Sequence, residues 1–117
     1  MEIALKRAYD PAGRSDGMRI LVDRVWPRGI RKDRAAIDLW LKEAAPSTAL
    51  RRWFGHREEN WDTFKARYFH ELDAHPEVVG QLLDAARGRR LTLVYGAREP
   101  RYNNAVALRE YLQRHLR

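Results

Sequence analysis

The chain contains no cysteine, which excludes disulfides, thiolate nucleophiles and cysteine-ligated zinc. No apolar run approaches the ~20 residues of a membrane span. Met1-Glu2-Ile3-Ala4-Leu5-Lys6 lacks the charge pattern and apolar stretch of a secretory signal. These absences lead us to expect a cytoplasmic protein with no membrane association. The sequence also lacks a Gly-x-Ser-x-Gly elbow, a phosphate loop, a dinucleotide fingerprint and a paired-histidine metal motif. His70, His75 and His115 fall on helix surfaces or ends without ligand spacing. We therefore expect no metal and no cofactor. Lysine is scarce as well, 4 against 19 arginines. The arginine bias suits anion binding, because the planar guanidinium fork matches phosphate and carboxylate. A GC-rich genome explains the same bias together with the 15 alanines, so individual arginines have to be argued by position.

What is present suits one domain spanning 1–117, with enough apolar content for a single core: 44% of residues are hydrophobic and 33% charged. The formal net charge of +7 is unevenly placed. Residues 1–34 carry nine Lys/Arg against five Asp/Glu, residues 35–86 six against nine, and residues 87–117 eight against two. Two basic ends flank an acidic middle.

Alternation over Ile3–Ala8 predicts a first strand, and Asp10-Pro11-Ala12-Gly13 with Asp16-Gly17 predicts a loop. Ile20-Leu21-Val22 reads as a strand buried on both faces, ended by Trp26-Pro27-Arg28-Gly29. The acidic middle reads as helical. Ile37, Trp40, Leu41 and Ala44 keep helical spacing up to Pro46, and Ser47 caps a short helix that ends at Gly55. Trp61, Phe64, Tyr68 and Leu72 line a longer helix, and Pro76 opens another with Val78, Val79, Leu82 and Leu83. Leu91–Tyr95 reads as the last strand, and Asn103 or Asn104 as the cap of a final helix carrying Leu108, Tyr111, Leu112 and Leu116. The fold class is α/β: a short, mostly parallel sheet with an inserted multi-helix segment and a C-terminal helix. The direction of the first strand is open.

In open α/β sheets ligands bind beyond the carboxyl ends of the strands. That rule selects Arg24, Arg28 and Arg98, each just after a strand, and sets Arg87, Arg89 and Arg90 at the opposite edge. The helix start at Asn103 and Asn104 would add backbone donors, giving an anion site. Pairing of Arg24 and Arg98 with Asp23, Glu99 or another carboxylate is the structural alternative. Trp26, in the loop after the second strand, is the aromatic best placed to stack on a ligand. Trp40, Trp53 and Trp61 have helical neighbours that suit a core. Candidate catalytic groups are Asp23, His56 and Tyr95, each with a structural alternative: a charge partner, a helix end and a core ring. Asp38 reads as belonging to the first turn of its helix.

Five segments together resemble one family. They are Leu5–Pro11, Leu21–Gly29, Leu39–Ser47, Trp53-Phe54-Gly55-His56 and Asn103-Asn104-Ala105-Val106. In order and across nearly the whole chain, they resemble the YeaO-like branch of domain of unknown function 488. The resemblance implies a small bacterial or archaeal cytoplasmic protein with a Rossmann-like arrangement, and carries over no reaction, substrate or catalytic residue. Its motif positions fall on Arg24, Trp26, Pro27, Arg28, Gly29, Trp53, Phe54, Gly55, His56, Asn103 and Asn104, which overlap the strand-end site. The chain departs from the family pattern at Arg57, where an acidic helix cap is frequent, and at Tyr102, where a histidine is common. The function expected is binding of a small anionic ligand, a nucleotide or phosphorylated metabolite, with enzymatic action on it left open. The alternative partner is nucleic acid, which the sequence pI of about 10.2 permits. A third class is an assembly subunit with an aromatic interface. The sequence does not set the oligomeric state.

Overall fold

The computed structural model describes residues 2–116. Four strands form one sheet in the order β1-β4-β2-β3: β1 Ile3–Arg7, β2 Met18–Leu21, β3 Leu39–Trp40 and β4 Leu91–Tyr95. All pairings are parallel, which fixes the direction of the first strand. Ile3 to Arg7 stand opposite Leu91 to Tyr95, and Met18 to Leu21 opposite Leu91 to Val94. The central β4 is buried along its whole length, as expected of a parallel strand covered on both faces. The arrangement is Rossmann-like, with helices α1 Thr48–Phe54, α2 Trp61–Asp73, α3 Pro76–Gly88 and α4 Asn104–His115. No helix among the described residues is long and apolar enough to cross a membrane.

The two faces of the sheet are covered differently, and strand periodicity shows how. Ile3, Ile20, Val22, Leu91, Leu93 and Tyr95 share one core with the buried sides of all four helices. Leu21 and Val94, of the opposite parity, join Ala8 under Trp26, Ile30, Ile37 and Trp40. The second face is thus covered by an irregular loop rather than by helices.

Local chemistry sets most boundaries. The Ser47 hydroxyl accepts from Leu50 N–H at 3.2 Å, and Gly55 closes α1 at φ 56°. Glu71 secures this start by accepting from Ser47 N–H at 2.8 Å and from its hydroxyl at 2.6 Å. Pro76 opens α3, and the Asn103 side chain accepts from Val106 N–H at 3.0 Å to cap α4. Phe64, Tyr68 and Leu72 fill the core from α2, with Trp61 partly buried beside them. At the entrance to β2, Gly17 sits at φ 66°, and an added Cβ there would lie 2.0 Å from the Arg90 carbonyl oxygen. Only glycine fits so close to a neighbouring backbone.

Residues 37–44 correct the sequence reading. Instead of a helix, Leu39–Trp40 forms the edge strand and Lys42–Ala44 a single 3-10 turn. Pairing with β2 outweighs the helical spacing: Asp38 N–H donates to Arg19 O at 2.8 Å, and Leu41 N–H to Leu21 O at 2.9 Å. Asp38 is therefore no helix-start residue, and its carboxylate accepts from Arg19 N–H at 2.8 Å. Ile37 and Trp40 cover the loop face, while Leu41 and Ala44 enter the helical core.

Candidate functional site

The chain leaving β2 leads toward β3, while the chain leaving β4 runs into α4, which returns over β4 and β1. Neighbouring strands whose connections diverge leave a crevice at their carboxyl ends. There lies a cavity of about 220 Å³, lined by Asp23, Arg24, Ala45, Pro46, Arg51, Phe54, His56, Phe64, Ala97 and Asn104. Asp23 and Arg24 follow β2, Ala97 follows β4, and Asn104 opens α4. Phe54 and Phe64 stack at a centroid distance of 4.0 Å and supply an aromatic wall.

Asp23 ties three elements together. Its Oδ2 accepts from Gly96 N–H at 2.8 Å and its Oδ1 from the Asn104 amide at 3.1 Å. Burial pushes its carboxyl above the ordinary value, opposed by those two hydrogen bonds and by the charges of Arg51 and His56. The Asn104 amide nitrogen also donates to Val22 O at 3.1 Å. Arg24 pairs with no carboxylate among the described residues. Its Nη2 donates to Ala45 O at 3.2 Å and Pro46 O at 3.5 Å, and its buried Nε has no partner. The Arg51 side chain makes no hydrogen bond or ion pair among the described residues, and the residue is exposed at the rim of the cavity.

His56 follows Gly55 and shares its left-handed backbone, at φ 57°. A non-glycine residue there is uncommon and mildly strained. The ring Nδ1 lies 2.8 Å from Tyr102 O. A carbonyl only accepts, so Nδ1 carries the hydrogen and Nε2 is the nitrogen left for other partners. Tyr102, standing where a histidine is common in the family pattern, donates its hydroxyl to Glu58 at 2.7 Å, which raises its own pKa. Arg57 provides no side-chain cap for the 3-10 turn that follows it.

The remaining sequence candidates lie elsewhere. Trp26 belongs to the loop face, with its indole N–H donating to Ile30 O at 2.6 Å and its ring edge-on to Trp40 at 5.3 Å. Arg28 and Gly29 form the exposed turn beyond Pro27, where Ile30 N–H reaches Pro27 O and Gly29 adopts φ 82°. Arg98 is exposed and outside the cavity lining. The three arginines expected to converge therefore do not: of Arg24, Arg28 and Arg98, only Arg24 lines the cavity. Tyr95 packs into the helical core, and burial raises its phenol pKa. Asn103 is fully buried as a cap and also donates to Glu99 O at 2.7 Å. Trp53 is 40% exposed on the outside of α1, under the Arg67 guanidinium at 4.5 Å from its ring.

The lining residues that the sequence reading missed are Arg51 and Phe64, together with the apolar Ala45, Pro46 and Ala97. Arg51 sits one helical turn before Gly55-His56, yet only the placement of α1 over the ends of β2 and β4 aims it at this crevice. No local motif carries that information. Phe64 reads as core on helical spacing, and one edge of that core forms the cavity wall.

A family profile described as the inactive DUF488-N3 subclade matches residues 2–117. The chain is 46% identical over 113 residues to Uncharacterized protein YeaO of Escherichia coli (strain K12), covering 97% of this chain and 98% of that protein. It is also 46% identical over 70 residues to Uncharacterized protein Rv3073c of Mycobacterium tuberculosis (strain ATCC 25618 / H37Rv) and to Uncharacterized protein Mb3100c of Mycobacterium bovis. Those matches span 60% of this chain and 59% of each relative. No solved structure matches.

Proposed function

The chain belongs to the DUF488 family, in its inactive N3 subclade with YeaO among its relatives, and from that premise we propose that it binds a small organic anion in the cavity between β2, β4 and α1 without transforming it. The observation that carries this reading is the pair Arg24 and Arg51. Both line one cavity, and neither is neutralised by a carboxylate at ion-pair distance among the described residues. Two guanidinium groups outweigh the single Asp23, so the cavity attracts negative charge.

The volume narrows the class. At about 30 Å³ per liquid water, the cavity corresponds to about seven waters, below the ~300–1,000 Å³ typical of sites for drug-sized ligands. A carboxylate or phosphate on a small apolar body fits; a nucleotide would seat only one end. Binding without turnover is read from how the candidate catalytic groups are held. Asp23 holds two N–H donors, His56 Nδ1 is bound to Tyr102, and Tyr95 lies in the core. None forms the hydrogen-bonded nucleophile and base that covalent catalysis uses.

The nucleic-acid reading ranks second. It rests on Arg28, Lys32 and Arg34, exposed in one loop on the second face of the sheet. Arg31 of the same loop meets Asp33 at 2.9 Å, and in the basic C-terminal segment Arg87, Arg90 and Arg114 meet Asp84, Glu2 and Glu110 at 3.7, 3.9 and 3.0 Å. Charge balanced locally in this way contributes less to a continuous phosphate-binding stripe.

Titration of ¹⁵N-labelled protein with sodium benzoate and with inorganic phosphate tests the anion reading. At least one should shift the amide signals of Arg24, His56, Ala97 and Asn104, and Arg51→Ala should weaken that binding about ten-fold, the worth of one charge-assisted hydrogen bond. Absence of any shift at those amides, or unchanged affinity in both Arg51→Ala and Arg24→Ala, would overturn it.

A further inference from the structure

Resting on the anion reading of this cavity, we propose that the site is two-ended: it selects a small carboxylate that also carries a hydroxyl or amino donor, with the carboxylate against Arg24 and Arg51 and the donor against Asp23, Asn104 and His56. The argument is an inventory of which polar atoms remain unpaired.

In the two arginines every unpaired side-chain atom is a donor. Arg24 commits Nη2 to the carbonyls of Ala45 and Pro46, and its other guanidinium nitrogens have no partner among the described residues. Arg51 commits none of its guanidinium N–H groups among them. In Asn104 and Asp23 the unpaired atoms are acceptors. The Asn104 amide nitrogen is flanked by two acceptors, Val22 O and Asp23 Oδ1, which fixes the amide orientation. Its Oδ1 is left without a donor. Each Asp23 oxygen receives one N–H and retains accepting capacity, and no cation of the described residues lies within ion-pair distance of it. With Nδ1 donating to Tyr102 O, Nε2 is the His56 ring nitrogen left for a ligand. The rest of the lining, Phe54, Phe64, Ala45, Pro46 and Ala97, is apolar and partly aromatic.

A bare anion that fills this space places negative charge against the partly buried Asp23, whose carboxylate accepts from two N–H groups and has no cation at ion-pair distance among the described residues. A carboxylate with a hydroxyl or amino group satisfies both sides and keeps its apolar body on the aromatic wall. Covering these acceptors with a ligand that leaves them unpaired is costly, so a site able to accept a donor discriminates against the analogue that lacks it. The chemical class is a small, flat hydroxy- or amino-substituted monocarboxylate.

The test compares ligands on the unaltered protein, so it does not depend on a variant that folds. Labelled protein is titrated with benzoate, with each of the three hydroxybenzoates, with each of the three aminobenzoates, and with inorganic phosphate, following the amides of Arg24, His56, Ala97 and Asn104. At least one substituted benzoate should bind ten-fold or more tighter than benzoate, the factor one hydrogen bond to a charged acceptor supplies. Arg51→Ala should weaken benzoate and its best substituted analogue by the same factor, because the donor end is untouched. If benzoate binds as tightly as every substituted form, or phosphate alone binds, the two-ended inference fails and the anion reading stands. If no probe shifts these amides, both fail.

Discussion

Replacing Asp16 by asparagine should cost about 3 kcal/mol of folding stability, and the cost should vanish in acid. Asp16 lies in the turn before β2 and is the counter-charge of Arg19, whose side chain is 5% exposed. Arg19 Nη1 reaches Asp16 Oδ2 at 2.6 Å, its Nε donates to Ala36 O at 2.9 Å, and its Nη2 to Ala35 O at 3.1 Å. The same carboxylate accepts from Gly13 N–H at 3.0 Å and Lys6 Nζ at 3.1 Å, and the Asp16 carbonyl from Thr92 at 2.6 Å. Led by the Gly13 N–H, these donors outweigh burial and lower the Asp16 pKa from 3.8 to about 2. Such a depression corresponds to about 2 kcal/mol at neutral pH. Asparagine also leaves the Arg19 charge buried and uncompensated, and breaking a buried pair in this way typically costs about 3–5 kcal/mol. Urea unfolding at pH 7 should show the loss, with a drop in Tm of roughly 10 °C. A depressed carboxylate contributes stability above its unfolded pKa and loses it as pH falls through its folded one. The gap between the two proteins should therefore be full above about pH 5 and shrink toward pH 2, where Asp16 of the native protein is itself half protonated. A variant within about 0.5 kcal/mol of the parent at pH 7, or a gap of constant size down to pH 2, would refute the reasoning.

Two further substitutions probe other parts of the fold. Gly17→Ala places a Cβ 2.0 Å from Arg90 O at a left-handed φ, so β2 must shift away from the entrance of β4; thermal unfolding should show a loss of at least about 3 kcal/mol or no cooperative transition. Trp26→Phe removes the indole donor to Ile30 O and should cost about 1 kcal/mol. Because Trp26 lies across the sheet from the cavity, anion affinity measured by the same amide titration should not change.

The elements that sequence reading placed correctly are those whose signals are local. Ser47 and Asn103 cap because a short polar side chain reaches the N–H three residues on, Pro76 opens a helix because its missing N–H is no loss there, and Leu91–Tyr95 is buried along its length. Residues 37–44 misled because their helical spacing is real, but the competing partner, the free edge of β2, is twenty residues away and invisible to a local window. The site divided along the same line. Strand polarity selected Arg24, Arg28 and Arg98, and of these Arg24 lines the cavity. Arg28 is carried away because one loop serves both faces of the sheet: Asp23 and Arg24 stay with the helical side, and the chain then crosses to cover Leu21 and Val94. Adjacency in sequence does not say on which face a side chain ends.

The arginine excess gains a physical account from the positions it occupies. Arg7 donates through Nε to Ala97 O at 2.9 Å and through Nη2 to Gly96 O at 3.4 Å, Arg19 to the carbonyls of Ala35 and Ala36, and Arg24 to those of Ala45 and Pro46. Each spans two consecutive backbone carbonyls in a segment without regular structure, where the chain leaves its acceptors unpaired. A guanidinium fork reaches two neighbouring oxygens in one plane, whereas a lysine ammonium acts as a single flexible point. In a sheet with one face covered by a loop, such clamps substitute for the second layer of helices in holding the strand ends in register. The +7 charge is in this part an architectural requirement, and Arg24 stands where that role meets the cavity: its bonds to Ala45 and Pro46 fix the guanidinium in place, so that little side-chain freedom remains to be lost when an anion arrives.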